Sequence, residues 1–248
     1  RKLLRTAAAL LAAVLLVPVH AGALSAKSAA MLDCLSGRML LNRNSTEPSL
    51  IASTTKIMTA LLICENCNVL DQMSVPKQAV GVEGSSMYLR EGERLSLQEL
   101  LYGLMLSSGN DAAVALALYC CGSIPEFANL MNDKAKRLGM TQSHFENPNG
   151  LDAENHRSTA RDLAILASYA MDNPIFRQTV STKTVTVGSR LLRNHNKLLW
   201  LYPGADGVKT GFTKRAGRIL VSSATQNHRR LVAVTIDDPN DWQDHAAM

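Results

Sequence analysis

The sequence predicts an α+β fold, a mostly antiparallel sheet with helices packed on it. Two observations carry this reading. Short β-rich runs lie toward the two ends of the chain, over 29–41 and 184–236, whereas the stretch between them reads as a block of helices. No internal repeat and no low-complexity linker divides the 248 residues, so the segregated strands and helices belong to one unit with one large core.

The elements follow in chain order. Arg1, Lys2 and Arg5 precede an apolar run over 7–19 and then Ala21-Gly22-Ala23. That is the pattern of a secretory signal peptide cleaved after Ala23, and the run is shorter than the ~20 residues of a spanning helix. Residues 1–23 are therefore expected to be a leader and 24–248 one exported domain. The chain starts at Arg and stops at Met248 just after 242–245 opens a helix, so both ends are expected to be cut. Residues 29–33 and 38–41 read as strands joined at Ser36-Gly37. A helix over 50–62 begins near Ser53, and the polar stretch 85–93 reads as loop with short strands. Ser96 and Glu99 form a capping box ahead of Leu97, Leu100, Leu101 and Leu104. That helix stops at Ser107-Ser108-Gly109, and a second takes over from Asn110. Pro125 opens a further helix, where its missing N–H costs nothing, and Gly139 closes it. Asn147-Pro148-Asn149-Gly150 is a turn cluster. Ser158 caps a helix over 159–171, which Asp172-Asn173-Pro174 breaks. The alternation over 184–187 predicts a half-buried strand. Runs over 216–224 and 231–236 are strands separated by a turn at 226–228.

The net charge of +5 comes from scattered basic residues. No concentrated basic patch or nucleic-acid module is present, which argues against a nucleic-acid partner. Solubility accounts for the charge, with weak attraction to an anionic wall or membrane surface as a second use. The five cysteines are an odd number, so at least one thiol stays unpaired. Cys64 and Cys67 have C-x-x-C spacing, but no second pair and no paired histidines complete a zinc site. They read as small apolar residues at a helix end, with room for a local disulfide, and no metal is expected.

Three short pieces carry chemistry. Ser53-Thr-Thr-Lys56 heads a helix, where residues three apart share a face. A serine hydroxyl needs an adjacent base to attack at neutral pH, and a lysine serves only if burial or nearby positive charge lowers its pKa. Ser108-Gly109-Asn110 sits at a helix break and offers a proton-relaying hydroxyl and an amide that both donates and accepts. Lys209-Thr210-Gly211 precedes the last strand pair. Lys209 supplies positive charge to a substrate carboxylate and to Lys56, Thr210 a hydroxyl, and Gly211 room for a substrate backbone. Phe212 offers a backbone N–H to an oxyanion. Each piece alone fits ordinary helix, junction or loop chemistry.

In this order, S-x-x-K, S-x-N and K-T-G form the motif set of penicillin-binding proteins and class A β-lactamases. Residues 51–59, 108–113, 147–152, 158–163 and 206–213 further resemble the low-molecular-weight D-alanyl-D-alanine carboxypeptidases, the serine peptidase family S11. The resemblance runs from about residue 26 to 245. It implies a serine β-lactamase/transpeptidase-like fold, a five-stranded antiparallel sheet flanked by helices with the site between them, and makes 24–248 a transpeptidase-like catalytic domain. It implies removal of the terminal D-alanine from peptidoglycan stem pentapeptides through an acyl-enzyme on Ser53. Lys56 and Ser108 would move protons, while Asn110, Lys209, Thr210, Gly211 and Phe212 would bind substrate. Arg161 would either assist them or pair with Asp162 at the surface. No cofactor is implied, and β-lactams are expected as covalent inhibitors. Peripheral membrane association would run through a segment beyond Met248. A β-lactamase would need a glutamate-activated water, for which Glu146 and Glu154 lie in the right region without the expected local pattern. A non-catalytic wall-binding protein would keep the fold without turnover, and a synthetic transpeptidase is expected to be longer, with extra domains.

Overall fold

The computed structural model describes residues 24–248. The leader assigned to 1–23 lies outside the described residues. Strands β1 (Ser28–Asp33) and β2 (Met39–Arg43) form the first hairpin. At the far end of the chain, β7 (Ala205–Thr213), β8 (Gly217–Gln226) and β9 (Arg229–Ile236) complete one sheet. Its order is β2-β1-β9-β8-β7, antiparallel throughout, because β1 pairs with β9 along its whole length. The two ends of the chain thus build one sheet, in agreement with the α+β reading, which by itself did not give this topology. The short pairs β3 (Gln72–Ser74) with β4 (Arg94–Ser96) and β5 (Thr184–Val187) with β6 (Arg190–Arg193) stand apart from it.

The helices α1 (Lys56–Asn66), α2 (Leu97–Leu106), α3 (Asn110–Cys121), α4 (Ile124–Arg137), α5 (Ala160–Ala170) and α6 (Pro174–Ser181) form the second layer. In α1, the residues from Lys56 to Ile63 are all buried. A helix apolar on every side belongs in the centre of a core, and α1 touches α2, α3, α5 and α6. Helix α5 packs on β1 and β9, and α6 on β7. One sheet face, with Ile219, Val221, Val232, Val234 and Ile236, joins this core. The opposite face carries Leu220, Ser222, Ala233 and Thr235, and it too is buried. It is covered by α8 (Asp241–Ala247), and α7 (Leu198–Leu201) packs beside it on β7. Burial on both faces explains why β8 and β9 read as near-continuous apolar runs instead of alternating.

Several boundaries differ from the sequence reading. Ser53 lies in a separate 3-10 turn, Ala52–Thr55, and α1 continues to Asn66. Thr159, not Ser158, caps α5 by accepting the Asp162 N–H, while Ser158 bridges to Ser49. Residues 172–174 end α5 and also start α6, since the Asn173 side chain accepts from the Ile175 and Phe176 N–H groups and Pro174 takes the first turn. Strand β7 had no sequence-derived bounds because its edge sequence, rich in glycine and polar residues, buries little apolar surface besides Val208. All five thiols are free, and Cys67 lies against Cys120 of α3, so the room foreseen for a local Cys64–Cys67 disulfide is not used.

His245 fastens α8 to the sheet. Its Nδ1 lies 2.6 Å from Ser222 Oγ and its Nε2 2.9 Å from Thr235 Oγ1. Burial lowers its pKa to about 3, and that of buried His156 to about 4. An unfolded histidine titrates near ~6.5. Below that pH the unfolded chain takes up protons that the folded chain refuses. The stability these groups allow is therefore complete above about pH 6.5 and falls with acidification, by up to about 1.4 kcal/mol per histidine per pH unit. The urea midpoint should be lower at pH 5 than at pH 7.5, and His245→Gln should narrow that difference. An unaltered difference in the variant would show that His245 does not drive it.

Candidate active site

The site forms where the head of α1, the link between α2 and α3, and edge strand β7 meet. Ala52, just before Ser53, holds a φ of 44°. Such backbone is sparsely populated for a residue with a Cβ and persists only when its surroundings enforce it. The enforcement comes from both sides. A Cβ on Gly211 of β7 would sit 3.2 Å from the Ile51 carbonyl and 3.3 Å from the Ser53 nitrogen. Gly150, at φ 85°, packs its Cα directly on the Ala52 carbonyl, where any Cβ would collide. Sequence reasoning gave Gly211 the task of admitting a substrate backbone. In the structure it first admits the backbone of Ser53 itself.

Lys56 is fully buried. Its Nζ lies 2.8 Å from Ser53 Oγ, 2.7 Å from Asn110 Oδ1 and 2.7 Å from the Asn149 carbonyl. A neutral amine has two N–H donors and one lone pair. Asn110 and Asn149 take the two donors, which leaves the lone pair for the Ser53 hydroxyl proton. Burial pushes the Lys56 pKa well below the ordinary lysine value, and the Lys209 charge pushes it further, against a smaller opposing pull from Asp111. Lys209 lies beneath the strand surface, donates to the Thr210 carbonyl at 2.9 Å and is itself lowered to about 7 by burial.

Asn110 opens α3. Its Nδ2 donates to the Glu83 carbonyl at 2.6 Å. Asp111 accepts from Ser86 Oγ and from the Met87 and Leu89 N–H groups, which ties the 85–89 loop to the same helix start. Ser108, at φ 60°, is held in the left-handed region between α2 and α3. It lines a cleft of about 870 Å³ together with Ser53, Thr210, Gly211 and Phe212. Of the predicted site residues, Ser53, Ser108, Thr210, Gly211 and Phe212 line the cleft; Lys56 reaches it through its bond to Ser53, Asn110 through its bond to Lys56, and Lys209 lies buried next to Thr210. Arg161 is not among its lining residues. It sits in the first turn of α5, half exposed, with its guanidinium 3.8 Å from the Asp162 carboxylate, so it makes the surface pair and does not reach the site.

Sequence reasoning missed Asn149 as a partner of Lys56. The 147–150 cluster is more than a turn: the Asn149 carbonyl accepts from Lys56, and the Pro148 carbonyl accepts from Thr59 at 2.6 Å. His156 braces the same place. Its Nδ1 accepts from the Glu146 N–H, so Nε2 carries the proton donated to Thr55 Oγ1 at 2.7 Å. The likeness of 147–152 to the family was the available signal, but a backbone carbonyl leaves no trace of its role in residue type.

A five-stranded antiparallel sheet with a cleft-lining serine bonded to a buried lysine at the head of the central helix places the fold among those of penicillin-binding DD-peptidases. The chain belongs to the D-alanyl-D-alanine carboxypeptidase family, whose model matches residues 16–240. It is 39% identical over 223 residues to D-alanyl-D-alanine carboxypeptidase DacF of Bacillus subtilis, covering 84% of this chain and 56% of that protein. It is 37% identical to DacC of Escherichia coli, covering 90% and 59%. The chain spans a little over half the length of these curated relatives. Penicillin-binding protein 6B of Escherichia coli superimposes with a TM-score of 0.86 at 34% identity, covering 91% of this chain and 75% of that one. A Streptomyces DD-transpeptidase mutant gives 0.86 at 31%, covering 91% and 96%.

Gly150→Ala is expected to destabilise the fold by at least about 2 kcal/mol, through positive φ and the collision with Ala52. It should also slow acylation of any folded fraction, because the same collision displaces Ser53. Thermal denaturation and β-lactam labelling test both, and a variant of wild-type stability would refute the packing argument.

Proposed function

We propose that this chain is the catalytic unit of a serine-type D-alanyl-D-alanine carboxypeptidase acting on peptidoglycan stem pentapeptides outside the cytoplasmic membrane. The observation that carries the reading is the buried Lys56 amine, 2.8 Å from Ser53 Oγ, with the Asn110 Oδ1 and Asn149 carbonyl acceptors each 2.7 Å away; in its neutral form these two acceptors take its N–H groups and its lone pair faces Ser53.

Ser53 attacks the carbonyl of the penultimate D-alanine while its proton passes to Lys56 Nζ. The developing oxyanion is held by the Ser53 and Phe212 N–H groups, a preorganised arrangement worth about 3 kcal/mol per donor. Ser108, with Lys56, returns a proton to the departing amine, and free D-alanine leaves an acyl-enzyme on Ser53. Water then hydrolyses the ester. Asn110 keeps one acceptor lone pair and one N–H beyond those already used, enough to hold a substrate amide. Thr210 hydrogen-bonds the terminal carboxylate, and Lys209 beneath it contributes positive charge. A β-lactam presents the same carbonyl and carboxylate and acylates the same serine. Glu146 accepts from the Asn155 N–H and, like Glu154, does not line the cleft. This favours slow deacylation over the glutamate-activated turnover of a β-lactamase.

Intact-mass spectrometry with benzylpenicillin should give a long-lived adduct on Ser53, and D-alanine should be released from a pentapeptide. Ser53→Ala should abolish labelling. Rapid drug hydrolysis would instead favour a β-lactamase, and a folded protein without an adduct a binding function. Lys209 also sets the pH dependence. Lys56 must be neutral to accept the serine proton, and the Lys209 charge keeps its pKa low. Lys209→Gln removes that charge, so the acid limb of the acylation rate should move to higher pH. A limb that stays in place would show that the two lysines do not communicate.

A further inference from the structure

The cleft has a second wall that the acyl-transfer residues do not use. The chain has two tryptophans, and both Trp200 and Trp242 line the same cleft as Ser53. Each is flanked by cations. The Arg193 guanidinium lies 5.1 Å from the Trp200 ring centre and Lys183 Nζ 5.9 Å; Lys197 Nζ lies 5.9 Å from the Trp242 ring and the Arg218 guanidinium 6.0 Å. Arg218 is already committed, with bonds of 2.8 Å to both Asp241 carboxylate oxygens. Among the described residues, Arg193 and Lys197 have no carboxylate partner.

The wall is also fixed in place. Asn194 Nδ2 donates to the Val180 and Thr182 carbonyls, the His195 N–H to the Leu106 carbonyl at the end of α2, and Asn196 Nδ2 to the Gly207 carbonyl of β7. The segment carrying Arg193 and Lys197 is thereby pinned between the two elements that present Ser108 and Lys209. Along β6, Leu192 turns inward, while Leu191 and Arg193 share the face that lines the cleft.

We propose that this wall, centred on Arg193 and Trp200, is a second substrate subsite, which binds a carboxylate carried on an aliphatic side chain upstream of the D-alanyl-D-alanine end. The assignment rests on the carboxypeptidase reading above. A guanidinium held over an indole face, 5.1 Å from its centre, and free of any carboxylate partner among the described residues has N–H groups available for a bidentate carboxylate. Ordering it before the ligand arrives lowers the entropic cost of binding. Leu191, 74% exposed, and the Trp200 ring offer an apolar floor for the aliphatic stem, and Lys197 adds charge from the Trp242 side.

The test uses two synthetic peptides ending in D-alanyl-D-alanine. They are identical except that the residue before that pair carries a side-chain carboxylate in one and the corresponding amide in the other. The wild-type protein should favour the acid by about tenfold in kcat/KM, as expected for a charge-assisted contact, mainly through KM. Arg193→Gln should bring the ratio close to one, and Lys197→Gln should lower it by less. Both positions are exposed, so the variants are expected to fold, which near-ultraviolet circular dichroism checks. A wild-type ratio near one, or a ratio that Arg193→Gln leaves intact, overturns the subsite while D-alanine release and the Ser53 adduct stand. A wild-type protein that cleaves neither peptide and forms no adduct overturns the carboxypeptidase reading, and the subsite with it.

Discussion

A primary amine held in the centre of a packed core, with no carboxylate at ion-pair distance among the described residues, is the constraint on which the rest of the site depends. An isolated buried ammonium is too costly to keep, so Lys56 is driven toward its neutral form, the only form that can take a proton from Ser53. The same burial would leave the amine unsatisfied, were it not for Asn110 Oδ1 and the Asn149 carbonyl. Those two acceptors come from places in the chain separated from Lys56 by 54 and 93 residues. The fold has to bring α3 and the 147–150 turn to the head of α1 before the base exists at all.

That requirement explains several features which look unrelated. Gly150 and Gly211 have no side chain because one packs on the Ala52 carbonyl and the other beside the Ser53 nitrogen. Ala52, next to Ser53, and Ser108, in the cleft lining, both occupy left-handed backbone, strain of the kind that clusters at functional sites when the surroundings over-determine it. His156 and Asp111 touch no reacting atom in the proposed mechanism, yet each fixes a loop that supplies part of the site. His156 holds Thr55 against the 146 backbone, and Asp111 gathers three donors from 86–89. The lysines form a graded pair. Lys209 lies buried under the edge strand and lowers Lys56 without being bonded to it, so that electrostatics links two elements that share no hydrogen bond between these side chains.

The two walls of the cleft differ in kind. The wall with Ser53, Ser108 and Thr210 is backed by buried groups, with Lys56 bonded to Ser53 and Lys209 beneath Thr210, as suits chemistry that depends on fixed geometry. The wall with Arg193, Lys197 and the tryptophans is more exposed and carries unneutralised charge on a rigid base, as suits recognition of a part of the ligand away from the reacting bond. One rigid segment, 193–197, is bonded to α2 and β7 and so keeps the two walls in register.

The sequence by itself determined the chemistry-bearing residue types and their order. Ser53 and Lys56 are three apart, and local helix-like geometry suffices to place them together, so that pair was legible without tertiary information. Caps were legible for the same reason: the Ser96–Glu99 box and Pro125 act within one turn. The segregation of strands and helices implied α+β, the five-stranded antiparallel sheet followed only from family likeness, and the strand order with β1 against β9 came from the structure. The tertiary structure alone decided the rest. Asn149 acts through a backbone carbonyl that every residue possesses, and β7 is an edge strand whose glycines and polar residues hide its period. Residues 172–174 were read as a stop because stop and start signals share the same chemistry. Arg161 looked like a site residue from the motif that contains it, but the direction of α5 turns it to the surface beside Asp162. Local sequence fixes what a side chain can do; which groups surround it, and therefore its charge state, is a property of contacts between residues far apart in the chain.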